Sequence, residues 1–74
     1  MKKQFIIKVE NQLGVLYRLV NVFYRRKINI LAINAFETKN NKISQVTITV
    51  SMAEEMVIKI KKQIEKIIEV ISVQ

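Results

Sequence analysis

The stretch Glu10-Asn11-Gln12-Leu13-Gly14-Val15-Leu16 holds the residue types best suited to binding a ligand in this chain. It follows a strand-like run and precedes a helix-like one, and Gly14 is the only glycine in a sequence without proline. Glycine permits a positive φ and lets another group approach the backbone closely. The first turn of a helix adds N–H groups without intrahelical acceptors and a positive dipole end. The stretch therefore predicts a turn that receives a small anionic ligand through a carboxylate or phosphate.

Plain helix capping explains the same residues. Asn11 stands where an N-cap residue is expected, and Gly14 can serve packing alone. In the functional interpretation, Asn11 offers a side-chain amide while the N–H groups around Gly14, Val15 and Leu16 receive the carboxylate. The N-x-x-G pattern is too short to decide between the two, so both stay open at this point.

Two further asparagines lie in the apolar segment that follows the first helix. Asn29 is either a helix-to-strand turn residue or a ligand contact. Asn34 lies in mid-strand and must find hydrogen-bond partners, so we expect it on an open side of the sheet. Tyr17 and Tyr24, seven residues apart on the helix, indicate a shoulder of the core or a contact with a partner.

The residue types that are missing exclude several kinds of site. The sequence has no cysteine, histidine or aspartate, and its six acidic residues are all glutamates. Disulfides, thiolate metal sites and His-based acid–base catalysis are therefore excluded. We expect no catalytic residue, no metal site and no cofactor bound by this chain.

The net charge of +7 raises nucleic acid and anionic membrane surfaces as partners. The basic residues are spread along the chain, as on a solvated surface. RNA-binding β-sheets present aromatic rings on the exposed face of their strands, where bases stack. In the strand predicted over residues 43–50, the exposed face carries Gln45, Thr47 and Thr49 instead. Nucleic acid is therefore disfavoured, and such a function would show as binding that weakens steeply with salt.

Length and hydrophobic content bound the architecture. The 74 residues predict one domain over residues 1–74. Half of them are hydrophobic, a surplus for so small a chain that predicts an oligomer interface. Lys8 and Glu10 interrupt the only signal-peptide-like segment, and no apolar run approaches the roughly 20 residues of a membrane span. We expect a cytoplasmic protein.

Hydrophobic periodicity predicts six elements that position the candidate residues. Strands are expected over residues 3–10, 28–36, 43–50 and 68–73, and helices over 14–26 and 53–66, with a turn at 39–42. The first helix is expected to use Leu13, Leu16, Leu19, Val20 and Phe23 as its apolar stripe. Glu55 and Lys59 are expected to form an i,i+4 pair on the second helix.

The order β-α-β-β-α-β with right-handed crossovers predicts an α+β, ferredoxin-like fold, in which both helices cover one face of a four-stranded antiparallel sheet. The strand over 28–36 is apolar on both faces, as a strand covered on both sides would be.

The combination of Asn11-x-x-Gly14-Val15-Leu16 with Arg18, Phe23 and the Asn29-Ile30 strand opening resembles the ACT domain. More narrowly, it is similar to the N-terminal domain of the small regulatory subunits of acetolactate synthase (acetohydroxyacid synthase). The similarity covers nearly the whole chain, including the R-R-K-I-N-I helix exit and the V-T-I-T-V strand.

The resemblance implies a non-catalytic subunit. It would activate a thiamine-diphosphate-dependent large subunit and confer feedback inhibition by valine or another branched-chain amino acid. Two copies would pair through their second strands, with the amino acid at the interface. One chain would hold it with Asn11, Leu13, Gly14, Val15 and Leu16. Asn29, Ile30 and Leu31 would approach it from the other chain.

Two qualifications belong to the resemblance. Many ACT domains have an aspartate at the position of Asn11, which pairs with a ligand ammonium directly, whereas the Asn11 amide can only donate or accept hydrogen bonds. The alternative function is a stand-alone or purely structural ACT interaction module, which activates a partner or pairs with it without sensing an effector.

Overall fold

The computed structural model describes residues 1–74 and has the predicted order of elements. These are β1 (Lys2–Glu10), α1 (Val15–Arg25), β2 (Ile30–Glu37), β3 (Ile43–Ser51), α2 (Val57–Glu65) and β4 (Val70–Val73), with a 3₁₀ turn at Glu54–Met56. The sheet order is β2-β3-β1-β4 and every neighbouring pair is antiparallel. The two helices lie on one face of this sheet. The α+β, ferredoxin-like prediction is therefore confirmed.

The core lies between the helices and the two central strands. Because β1 and β3 pair along nine residues, their alternating apolar side chains project together towards the helices. The rings of Phe5 and Phe23 meet at 5.7 Å between centroids in a tilted arrangement that suits aromatic pairs. The fully buried side chains are Phe5, Ile7, Val9, Leu19, Phe23, Val46, Ile48, Val50, Ile60 and Ile64. Asn34 pairs with Thr47 on the opposite, open face, as predicted.

The predicted apolar stripe of α1 is wrong in part. The helix buries Val15, Leu19 and Phe23, a row at i, i+4 and i+8 spacing. Leu13, Leu16 and Val20 are exposed, and they belong to a neighbouring row that the chain leaves uncovered. Tyr17 and Tyr24 are 73% and 77% exposed, so neither ring is a shoulder of the core.

The end of α1 explains why β2 begins at Ile30 and not at residue 28. Lys27 takes a left-handed conformation, with φ 57°, immediately after the helix. The N–H of Lys27 donates to Tyr24 O and that of Ile28 donates to Phe23 O, both at 3.0 Å. This is the pair of hydrogen bonds of a Schellman motif, and Ile28 packs onto the core as its apolar closing residue. Ile28 therefore belongs to the helix end.

Strand β2 is at the edge of the sheet and is exposed at seven of its eight residues. Ile33 and Ala35 pair with Ile48 and Val46, which places them on the helix-covered side. Ile33 is nevertheless 46% exposed, because the helices do not extend over this strand. The two-sided cover predicted for β2 is thus absent within one chain.

The second half of the chain differs in its details. Glu55 lies in the 3₁₀ turn that precedes α2, where side chains do not follow α-helical spacing. The predicted Glu55–Lys59 pair is accordingly not formed, and the one ion pair of the structure joins Arg18 to Glu69. Strand β4 begins at Val70, because the Val70 N–H closes a turn on Ile67 O at 3.0 Å. None of the helices has the length and apolar character needed to cross a membrane.

Candidate ligand-binding site

Gly14 forms the junction between β1 and α1. It occupies the N-cap position with φ 86° and ψ −4°, and no side chain caps the helix. The prediction of Asn11 as the N-cap is therefore wrong. Its side-chain Nδ2 donates to Asn41 O at 3.2 Å, and its backbone N–H donates to Lys42 O at 2.7 Å. Gly14 takes the N-cap position because glycine reaches the left-handed conformation more readily than other residues. The two hydrogen bonds of Asn11 instead connect the turn to the β2–β3 loop.

The turn presents backbone donors without protein acceptors. The Val15 N–H donates to Gln12 O at 3.3 Å, and the Arg18 N–H donates to Gly14 O at 3.2 Å. The N–H groups of Gly14 and Leu16 have no acceptor within the chain. Val15 also buries its side chain in the core, so its part in binding would be to fix the turn. Free N–H groups at a helix N-terminus can donate hydrogen bonds to a carboxylate.

A pocket of about 670 Å³ adjoins these donors. All five site residues predicted on the turn line it: Asn11, Leu13, Gly14, Val15 and Leu16. The end of β2 forms the opposite wall with Ala35, Phe36 and Glu37, while Val9, Ser44 and Val46 also line it. Sequence reasoning missed Phe36, Glu37 and Ser44. The hairpin could have indicated two of them, since Glu37 pairs with Ser44 close to the turn.

The second group of predicted site residues lies elsewhere in the same chain. Asn29 lines a separate pocket with Tyr24, Arg25, Lys27 and Ile28. Ile30 begins β2, whereas Glu37 ends it, a separation of about 23 Å at roughly 3.3 Å per residue. Asn29, Ile30 and Leu31 can therefore approach the turn only from another chain, and their role stays a prediction.

Glu37 is the one ionisable side chain on the pocket wall. It is also the only acidic residue between Glu10 and Glu54, and it takes no part in an ion pair. The pocket thus combines N–H donors, a carboxylate and apolar walls that include the exposed Leu13 and Leu16. These groups match a zwitterion with an apolar side chain, because the carboxylate and the ammonium each find a group of opposite polarity.

Comparison with known proteins identifies the family to which this fold and turn belong. Residues 5–72 match the family model described as AHAS small subunit-like ACT domain. The chain belongs to this family. The predicted resemblance is therefore confirmed, and the glycine turn is the β1–α1 turn of an ACT domain.

Relatives of this ACT domain include named small subunits. It is 37% identical over 73 residues to the probable acetolactate synthase small subunit of Archaeoglobus fulgidus, covering 99% of this chain and 46% of the relative. It is 29% identical to the acetolactate synthase isozyme 3 small subunit of Escherichia coli K12, covering 99% of this chain and 45% of the relative. The chain thus spans about half the length of the curated relatives it matches.

Solved structures agree with the assignment. The crystal structure of the acetolactate synthase small subunit from Thermotoga maritima superposes with a TM-score of 0.88 at 30% identity, over 100% of this chain and 46% of that one. The ACT domain from GTP pyrophosphokinase of Chlorobium tepidum superposes with a TM-score of 0.81, over 100% of this chain and 95% of that one. Its identity is only 15%, so it supports the fold alone.

Proposed function

We propose that this ACT domain is the regulatory, non-catalytic part of an acetolactate synthase small subunit. It binds valine or another branched-chain amino acid, activates a thiamine-diphosphate-dependent catalytic subunit, and transmits feedback inhibition to it. The observation that carries the proposal is the pocket in which the free N–H groups of Gly14 and Leu16 accompany the Glu37 carboxylate. The named small subunits among its relatives support the choice of catalytic partner.

The pocket favours an amino acid over a simple carboxylate. The turn N–H groups receive the ligand carboxylate, and Glu37 pairs with the ammonium. The Nδ2 of Asn11 donates to Asn41 O, which fixes the side chain, and its Oδ1 can accept a hydrogen bond from that ammonium. Leu13 and Leu16 cover the aliphatic side chain, at about 0.8 kcal/mol per buried CH₂. This term favours branched aliphatic amino acids over alanine or glycine.

A homodimer through β2 completes the site in this proposal. An exposed edge strand invites pairing with another chain, and β2 offers eight residues for it. A two-fold axis at the middle of β2 makes the two strands antiparallel, so the start of one lies opposite the end of the other. Asn29, Ile30 and Leu31 of the partner subunit then reach the wall formed by Ala35–Glu37. The exposed row of Leu13, Leu16 and Val20 lies on the turn and helix beside this wall and gains cover from the same pairing.

Calorimetry and sedimentation together test the proposal. Valine, leucine and isoleucine are titrated into the protein, with isovalerate as a matched ligand that lacks only the ammonium group. We expect binding of at least one amino acid, weaker binding of isovalerate, and a dimer in sedimentation equilibrium. A dimer that binds none of the three amino acids at millimolar concentration, yet activates the catalytic subunit, would identify a purely structural module instead.

A further inference from the structure

The helical layer carries a concentrated positive charge on one side. No acidic residue occurs over residues 11–36, so the charged residues of α1 are Arg18 and Arg25, with Arg26 and Lys27 directly after it. Interspersing both signs of charge avoids a large field of one sign, unless that field attracts a partner. A stretch that carries cations alone is therefore a candidate for binding an acidic partner.

The cations converge on a groove between α1 and the C-terminal end of α2. This groove has a volume of about 320 Å³, and no acidic residue lines it. Val22 and Ile67, both half-buried, contribute its apolar part. The polar lining residues are Arg18, Asn21, Arg25, Arg26, Gln63 and Lys66. Arg18 is neutralised by Glu69, which leaves Arg25, Arg26 and Lys66 without an ion pair.

Helix dipoles account for only part of this arrangement. Arg25 in the last turn of α1 and Lys66 at the C-cap of α2 each favour the negative end of a helix. That effect needs one cation at each end and does not require the two ends to share a groove. The guanidinium groups of Arg25 and Arg26, which share the groove with the amides of Asn21 and Gln63, have no ion-pair partner in the chain. Such groups suit planar oxyanions, of which carboxylates pair with arginine through two hydrogen bonds.

We propose that this basic groove (Arg25, Arg26 and Lys66 with Asn21 and Gln63) is the docking site for acidic side chains of the catalytic subunit. The proposal rests on the proposed function for the existence of that partner. The groove is open to solvent, where a single small anion is largely screened and gains little. A protein surface that presents several carboxylates engages the cations together, and the neighbouring Val22 and Ile67 add apolar contact.

The basic groove is separate from the ligand pocket. The two share no lining residue, since one is built on the β1–α1 turn and the other on the later part of α1 and the end of α2. Arg25 also lines the pocket of Asn29 near the start of β2, whereas Gln63 and Lys66 belong to the end of α2, which packs against β4 at the opposite edge of the sheet. Pairing of two copies through β2 therefore leaves the α2 wall of the groove accessible. Effector binding and docking to the catalytic subunit therefore use different faces of this domain, and they can be perturbed one at a time.

The test compares two variants with equal loss of charge. The groove variant carries Arg25→Gln, Arg26→Gln and Lys66→Gln, and the control carries Lys2→Gln, Lys8→Gln and Lys39→Gln on the sheet and hairpin side. Affinity for the acetolactate synthase catalytic subunit of the same organism is measured between 50 and 300 mM salt, settings chosen to span the screening range. We expect the groove variant to bind roughly tenfold more weakly and with a shallower salt dependence. Sedimentation and valine calorimetry should stay unchanged for both variants.

The outcomes separate this proposal from the one on which it rests. Wild-type protein that fails to bind the catalytic subunit would overturn both. Normal binding by the groove variant, or an equal loss in the control, would overturn the docking site alone. Tighter binding of wild-type protein to a DNA duplex than to the catalytic subunit would assign the basic groove to nucleic acid and refute the proposal. A variant with Arg25→Lys and Arg26→Lys keeps the positive charges but lacks the guanidinium geometry. Affinity for the catalytic subunit between that of the wild type and that of the groove variant would support the proposal.

Discussion

Replacing Gly14 by aspartate, with asparagine as its matched control, isolates the electrostatic part of effector binding. Gly14 has φ 86°, and a Cβ added there would lie 3.6 Å from Arg18 Nη1, an ordinary van der Waals distance. Space is therefore available for either side chain. Aspartate and asparagine have nearly the same shape, and both tolerate the left-handed conformation better than other residues. The two variants differ mainly in a negative charge at the helix N-terminus.

The magnitudes follow from this geometry. Each variant loses about 1 kcal/mol of unfolding free energy to the left-handed conformation, which corresponds to a fall of about 4–8 °C in the melting temperature of a domain this small. A carboxylate about 4 Å from the ligand carboxylate is repelled by about 1 kcal/mol in water and by about 4 kcal/mol at an effective dielectric constant of 20. Gly14→Asp should therefore bind valine between about fivefold and about 1,000-fold more weakly than Gly14→Asn.

Isothermal titration calorimetry measures the affinities, and thermal unfolding followed by circular dichroism measures the stabilities. The comparison is made between the two variants, because both carry the steric cost of a side chain at residue 14. Equal valine affinity in Gly14→Asp and Gly14→Asn would refute the placement of the ligand carboxylate at this turn. Wild-type affinity in both would show that the turn does not contact the ligand at all.

Three further substitutions test other parts of the argument. Glu37→Gln should weaken valine binding between about tenfold and about 150-fold, through loss of a charged hydrogen bond of about 1.5–3 kcal/mol, and leave isovalerate binding unchanged. Equal losses for the two ligands would contradict an ammonium contact. Lys27→Gly should raise the urea midpoint, adding about 0.5–1 kcal/mol by relieving the left-handed residue after α1; an unchanged or lower midpoint would count against the Schellman ending. Leu19→Ala, at a fully buried core position, should cost about 2–5 kcal/mol and melt the domain far below the wild type. A loss under 1 kcal/mol, measured by chemical unfolding, would show that this part of the core is loosely packed.

The fold was predictable because apolar and polar residues alternate regularly in its two central strands. β1 and β3 each have one face towards the helices and one open face, so their period-two alternation predicts strands over residues 3–10 and 43–50. The chain also has short connections, which leave few topologies for this order of elements. Predictions that depended only on alternation and element order therefore succeeded.

The predictions that failed depended on what surrounds an element. Helical spacing grouped Leu13, Leu16 and Val20 with Leu19, but spacing cannot show which neighbouring strand the helix covers. The same limit applies to β2, whose apolar character on both faces predicts cover on both sides but does not show whether its own chain or another provides it. Asn11 was placed as the N-cap because its type suits that position, whereas the hydrogen bond to Asn41 depends on a loop 30 residues away.

The candidate ligand site likewise combines residues that are close in sequence with residues that are distant in sequence. The turn residues Asn11, Leu13, Gly14 and Leu16 are consecutive or nearly so, and the sequence alone brought them together. Glu37 entered the pocket only through the strand pairing that places it beside Ser44. A wall contributed by a strand is visible in a sequence only after the hairpin register is known.

The free edge of β2 links effector binding to the pairing of chains in the proposed homodimer. In the proposed pair, each pocket takes one wall from each chain, so a monomer offers only half a site. Effector and partner chain then strengthen each other's binding, as linkage requires of two ligands that share a bound state. Dilution of the protein weakens effector binding, and saturating effector lowers the concentration at which the chains pair. Under this proposal, the cellular abundance of the chain sets the amino acid concentration at which it responds.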